Sequence, residues 1–257
     1  MLKTITHLKG FSIKATDGEL GTAVELYFDD QSWTARYLTV DTGGWLGGRR
    51  VLLSLYSVIR VNWAERRVDV SLTREQVKSS PDIDTHKPVS RQHEAEYLGS
   101  FGYPNYWNGP FAWGGSYYPG EYVPVAAASA KGESKDSHLR STSGVSGYDI
   151  HAMDGEIGHV IGFVLDDETW AIRYIEIGTR NWWPGKKVLL APSWIQRISW
   201  MSSKFYVSVA REAIQGAPAY VEGTAVTREY EELLYQHYER PPYWVNQPER
   251  VNLMEAV

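Results

Sequence analysis

Asp17-Gly18-Glu19-Leu20-Gly21 is followed, 137 positions later, by Asp154-Gly155-Glu156-Ile157-Gly158. Every further match keeps that offset without a gap. Asp29-Asp30 falls on Asp166-Asp167, Trp33 on Trp170, Arg36-Tyr37 on Arg173-Tyr174 and Trp45 on Trp182. Further along, Trp63 falls on Trp200, Arg91 on Arg228, Glu94 on Glu231 and Tyr106-Trp107 on Tyr243-Trp244. The chain of 257 residues is therefore an internal duplication with a domain-sized period, not a solenoid of small repeats.

Each copy reads as mainly β. Asp17-Gly18 and Asp29-Asp30-Gln31-Ser32 are turn chemistry on either side of an alternating stretch from Thr22 to Phe28. Further short strands read at Ala35 to Val40, Arg50 to Ser54, Ile59 to Trp63 and Val68 to Leu72. The spacing predicts a small antiparallel barrel. Thr73-Arg74-Glu75-Gln76 then fits a capping box opening a short helix that Pro81 ends, with Ala210 replacing the cap in copy two. A second helix is predicted from Ser90 to Leu98 and from Thr227 to Tyr238.

The expected organisation is a first barrel over 1–81, its helical and aromatic appendage over 82–107, a joining segment over 108–144, a second barrel over 145–218 and its appendage and tail over 219–257. The joining segment has two halves. Around Phe111-Ala112-Trp113-Gly114-Gly115 it is dense in Gly, Pro and aromatic rings, which predicts an irregular surface segment. Ala126 through Gly144 is small, charged and Ser-rich, the composition of a tether with little order.

Composition narrows the chemistry. No cysteine is present, which excludes disulfides, thiolate metal sites and a cysteine nucleophile. A net charge of −5 opposes phosphate attraction, so nucleic acid is not expected as a partner. The first residues lack a signal-peptide pattern and no stretch reaches membrane-span length, giving the expectation of a cytoplasmic protein. The histidines do not recur between copies, although His151 and His159 flank the Asp154-Gly155 turn. No catalytic, cofactor-binding or metal-binding residues are predicted, and no enzyme motif is found.

Taken together, Asp-Gly-Glu-x-Gly, the strand ending in Asp-Asp, Trp-x-x-Arg-Tyr, the loop containing Trp45 and Val51-Leu52-Leu53 resemble the PRC-barrel family. That module occurs in the cytoplasmic domain of the photosynthetic reaction-centre H subunit and in a ribosome-maturation factor. Both copies match. The resemblance implies a six-stranded barrel used as a docking surface and no defined catalytic residues. The membrane helix of the H subunit is not matched, so a place in photosynthetic electron transfer is not implied, and the N-terminal domain of the maturation factor is not matched, which weakens the ribosomal reading.

Two sets of side chains stand out. Trp45, Trp182 and Trp183 in loops, with Tyr106, Trp107, Tyr243 and Trp244, are candidate interaction residues, because Trp and Tyr anchor binding hot spots. Burial between the barrels is the other reading for them. Arg36 and Arg173 alternate with inward-facing residues and so need partners, which Asp29, Asp30, Asp166 and Asp167 on the hairpins, or Glu19, could supply as structural ion pairs. The expected function is a non-catalytic scaffold or adaptor that binds a protein partner or a second copy. The alternative is an RNA- or ribosome-associated processing factor using Arg49-Arg50, Arg66-Arg67 and Lys186-Lys187.

Overall fold

The computed structural model describes residues 1–80, 91–121, 138–179, 186–221 and 223–246. Copy one has β1 (Leu2–Thr4), β2 (Ser12–Ala15), β3 (Gly18–Asp29), β4 (Thr34–Asp41), β5 (Arg50–Ser54), β6 (Val58–Asn62) and β7 (Arg67–Val70), then α1 (Arg74–Ser79) and α2 (Arg91–Ser100). Copy two opens with β8 (Leu139–Ser141) and α3 (Thr142–Val145), the latter standing where copy one has a 3-10 turn at Ile5–Leu8. It continues with β9 (Asp149–Ala152), β10 (Gly155–Asp166), β11 (Ile172–Gly178), β12 (Lys187–Leu190), β13 (Ile195–Ser199), β14 (Lys204–Val207), α4 (Arg211–Gly216) and α5 (Arg228–His237).

The chain is mainly β, in two sheets of seven strands, but the sheets differ from the expected antiparallel barrels in two respects. They are mixed, because β2 runs parallel to β7 and β9 parallel to β14. They are also open. The hydrogen-bonded orders are β5-β4-β3-β2-β7-β6 and β12-β11-β10-β9-β14-β13, and among the described residues neither ladder closes. Between β5 and β6 the chain turns a tight corner at Leu55–Ser57, held by the Ser57 hydroxyl donating to the Ser54 carbonyl, which directs β6 to β7 instead of back to β5.

The two copies are interlocked. β3 is twelve residues long, yet β2 covers only Gly18 to Thr22 of its edge; β8, from the start of copy two, takes Tyr27 to Asp29. Reciprocally, β1 leaves copy one and pairs with Val164 to Asp166 of β10. Each exchange fills a strand edge that would otherwise present unpaired amides and carbonyls. Between them, Thr34 bridges Ala171, its own equivalent in the other copy. The Ala35 amide donates to the Trp170 carbonyl at 2.9 Å and the Ile172 amide to the Trp33 carbonyl at 2.7 Å. These symmetric bonds mark a pseudo-two-fold axis. Phe28 packs on Phe163 across it, and the core is continuous through both copies.

The recurrent Asp-Gly-Glu-x-Gly motif has a separate physical reason at each position. Asp17 accepts from the Arg74 amide and Asp154 from the Arg211 amide, both at 2.8 Å, so the aspartate caps the helix that follows the sheet. Gly21 and Gly158 have φ of 141° and 156°, and a Cβ there would stand 2.0 Å from the Asp41 carbonyl oxygen and 2.1 Å from that of Gly178. Only glycine allows this approach. Gly21→Ala is expected to destabilise the protein by about 3 kcal/mol or more, because the opposing atom is backbone. Denaturant midpoints of Gly21→Ala and the exposed-loop control Gly44→Ala, whose Cβ meets nothing within 4 Å, test this.

The capping box at Thr73 is formed, with both reciprocal bonds to Gln76, and the Ala210 cap of α4 makes no side-chain bond. Thr227 caps α5 by accepting from the Tyr230 amide. Pro81 and Ser90 lie outside the described residues. Two expectations for the joining segment are corrected. Residues 138–144 are ordered as β8 and the start of α3, because pairing to β3 supplies contacts that their composition does not advertise. Trp113 is not a surface ring but is 1% exposed, inserted between the copies with its indole donating to the Thr169 carbonyl at 2.9 Å.

Candidate functional site

The clearest concentration of chemistry begins at a bulge. Tyr37 pairs with Tyr27 and Ala35 with Phe28, so Arg36 is skipped in the ladder between β3 and β4. Arg173 is skipped in the same way between β10 and β11. A bulge re-aims side chains. Arg36 therefore does not lie inward with Leu38 and Val40, as alternation predicts, but over the Tyr106 ring at 3.8 Å, on the side where Tyr37 meets α2.

Around Arg36, copy one builds a buried polar cluster. The Tyr37 and Tyr106 hydroxyls both donate to Glu94 Oε1, at 3.0 and 2.6 Å. Arg91 bridges Glu94 Oε2 at 3.3 Å and Asp29 Oδ2 at 2.9 Å. Arg36 is 2% exposed and donates to the Ser32 hydroxyl at 2.9 Å and to the Ala112 carbonyl. The expected Arg36–Asp29 pair is thus indirect. Asp29 binds Arg91, while its Oδ1 accepts from the Gln31 and Ser32 amides as a turn aspartate does.

Copy two repeats the arrangement at the same offset. The Tyr174 and Tyr243 hydroxyls donate to Glu231 Oε1 at 2.6 and 3.0 Å, and Arg228 lies 3.0 Å from Glu231 Oε2. Arg173 contacts Asp166 at 3.3 Å, the direct ion pair that the sequence suggested. Asp30 is paired instead with Arg140 from β8 at 2.8 Å, and Asp167 accepts from the Trp63 indole at 2.9 Å. The hairpin acids therefore hold the strand exchange as well as the turns.

Burial sets the protonation of these groups. Desolvation pushes the Glu94 carboxyl up to about 7, against the tyrosine hydroxyls and Arg91, which favour its charged form. Glu231 is raised for the same first reason. At Asp29 burial again opposes ionisation, but Arg36, the Ser32 amide and Arg91 outweigh it and hold the carboxyl below its ordinary range. Burial raises the Tyr37 and Tyr106 phenols and lowers Arg36.

Among the described residues, the copies differ in what lies over the cluster. In copy one, Ala112 and Trp113 cover it: the Trp113 ring stacks under Arg36 at 4.8 Å, and the side chain of Arg91 is 13% exposed. A cleft of about 390 Å³ remains beside them, lined by Arg36, Arg91, Tyr106, Trp107 and Phe111. In copy two, Tyr243 and Trp244 are half-buried and the Arg228 side chain is 47% exposed, lying 3.9 Å from the Trp244 ring. Guanidinium and aromatic faces side by side bind carbonyls, carboxylates and other rings.

Of the other singled-out residues, Trp45 is half-buried against its own copy, its indole donating to the Leu20 carbonyl at 2.6 Å and its ring under Arg74 at 4.6 Å. Trp182 and Trp183 lie outside the described residues. His151 and His159 do not pair across the hairpin; their strand partners are Glu156 and Asp149. Sequence reasoning missed Glu94, Glu231, Arg91 and Arg228 as cluster members, although all four keep the repeat offset. It also missed β1 and β8, where Leu2-Lys3-Thr4 and Leu139-Arg140-Ser141 match in type at that offset.

The chain matches no protein-family profile, and none of the curated proteins matches it. No helix among the described residues is long and apolar enough to cross a membrane.

Proposed function

We propose that this chain is a non-catalytic adaptor made of two PRC-type units, and that its partner docks on the aromatic and guanidinium surface of copy two. The observation that carries the reading is the contrast between the duplicated clusters. In copy one the surface is occupied from within the same chain by a backbone carbonyl, Ala112, and an indole, Trp113. Among the described residues of copy two, Arg173, the equivalent of Arg36, is bonded to Asp166 instead, and Arg228, Tyr243 and Trp244 stand at partial exposure. Its complement is a segment with an aromatic side chain beside an accessible carbonyl. The PRC-type assignment draws on the repeated motif and on the duplicated mixed sheets; the open ladders count against a strictly closed barrel. The basic pairs favouring RNA are largely engaged: Arg67 with Asp69 and Glu65, Lys187 with Glu176, and Arg66 over Phe11.

The test is capture from native lysate by wild type and by an Arg228→Glu/Trp244→Ala double variant shown to be folded. The captured protein is then rebound in pure form. The reading predicts saturable binding with one partner and a loss of affinity of about tenfold or more in the variant, the cost of removing a desolvated aromatic anchor. Equal affinity in both would overturn the assignment of the surface. Recovery of RNA that is released by moderate salt would replace the adaptor reading with the RNA-associated one.

A further inference from the structure

A second concavity, of about 330 Å³, lies on the pseudo-two-fold axis, where both copies contribute walls. Its lining is itself duplicated: Ile5 is equivalent to Thr142, Val24 to Ile161 and Leu26 to Phe163. The floor is apolar and closed, since Ile5, Leu26, Leu38 and Phe163 are all buried. At the mouth are hydroxyls, among them Thr6, Ser143 and Ser146. A cleft of this size between domains, apolar within and sparsely polar at its edge, is the usual form of a small-molecule site.

In charge, the duplication is broken in the pocket at two places. Glu25 is equivalent to Gly162, and Lys9 to Ser146, so a symmetric cleft carries a single carboxylate. Glu25 is half-buried, whereas Lys9 is exposed and can line the wall with its stem while its ammonium stays hydrated. Glu25 Oε2 accepts from the Ser141 and Ser143 hydroxyls. Those donors come from β8 and α3, so the strand exchange itself fixes the carboxylate. Among the described residues no cation is paired with Glu25.

We propose that this pocket binds a small primary amine with an apolar body, its ammonium on Glu25 and its hydrocarbon on Ile5, Val24 and Ile161, above the buried Leu26, Leu38 and Phe163. The site is separate from the surface assigned to the adaptor function. A neutral or anionic molecule of the same size lacks the complement to Glu25, and leaving that charge desolvated beside an apolar ligand is unfavourable.

Hexylamine, hexanol and hexanoate are the probes, titrated into the full chain and followed by calorimetry and by chemical shifts of the Ile5 and Phe163 side chains. Hexylamine is expected to saturate one site, with hexanol and hexanoate weaker by about tenfold or more. Glu25→Gln, which keeps the shape and the serine bonds, should reduce hexylamine to the level of hexanol. Val24→Phe, at a residue skipped in the β3–β4 ladder, should fill the pocket and abolish all three. Absence of saturable hexylamine binding to wild type, or equal affinity in Glu25→Gln, would overturn the proposal. Shifts confined to residues outside the pocket would do the same.

Discussion

A chain cut by a specific protease at a site placed between residues 122 and 137 is expected to stay in one piece. Native mass spectrometry should show both fragments in a single complex, and the two halves expressed separately should fold only when mixed. The reason is the exchange of β1 and β8. Residues 1–121 alone lose the strand that completes β3, the bridge from Thr34 to Ala171 and the Thr169 carbonyl that holds the Trp113 indole. Residues 138–257 alone lose β1 from the edge of β10. Exposure of the fully buried Phe28, Trp113 and Phe163 at about 1.5–3 kcal/mol for each large side chain amounts to roughly 5–9 kcal/mol. That equals the whole stability of an ordinary domain. Isolated halves are therefore expected to unfold, or to self-associate through the vacated edges. Two independently folded monomeric halves would contradict the interlocked arrangement.

The next largest effect is expected at Glu94. Its folded-state carboxyl sits at about 7 against an ordinary 4.5, so the folded protein holds this proton more tightly than the unfolded chain does. The contribution is fully favourable below about 4.5, declines as pH rises, and above about 7 the ionised group costs the fold roughly 3 kcal/mol relative to low pH. Glu94→Gln retains an acceptor for the Tyr37 and Tyr106 hydroxyls and cannot titrate. Stability of the variant should lose this component of the slope between pH 4.5 and 7. Glu94→Ala leaves two buried phenols and Arg91 without that partner and should cost about 3–5 kcal/mol. Urea midpoints across the pH range decide it, and an unchanged slope in Glu94→Gln would remove Glu94 as its source.

The duplication and most strand positions were legible because identity at one offset and alternation along β3 and β4 are local signals. Topology was less so. The parallel pairing of β2 with β7 joins segments far apart in sequence, and nothing in either segment announces its neighbour. Arg36 was misplaced because one bulge between Tyr27 and Phe28 reverses the alternation that placed it inward. Gly-rich sequence around Trp113 fixes irregular backbone but not burial, which leaves burial against the other copy and partner contact equally open for this ring. The Ser-rich stretch before copy two concealed β8, whose order comes from an edge supplied by the other copy. The aromatic candidates Tyr106 and Tyr243 turn their phenols to Glu94 and Glu231, acidic residues that draw no attention in isolation.

Cross-strand contacts measured by nuclear Overhauser spectroscopy on the intact chain test the reciprocal exchange most directly. The account predicts backbone contacts between Lys3 and Leu165 and between Arg140 and Phe28, the registers of the two exchanged strands. Contacts of Lys3 with Phe28 and of Arg140 with Leu165 would place each leading strand on its own copy and contradict it.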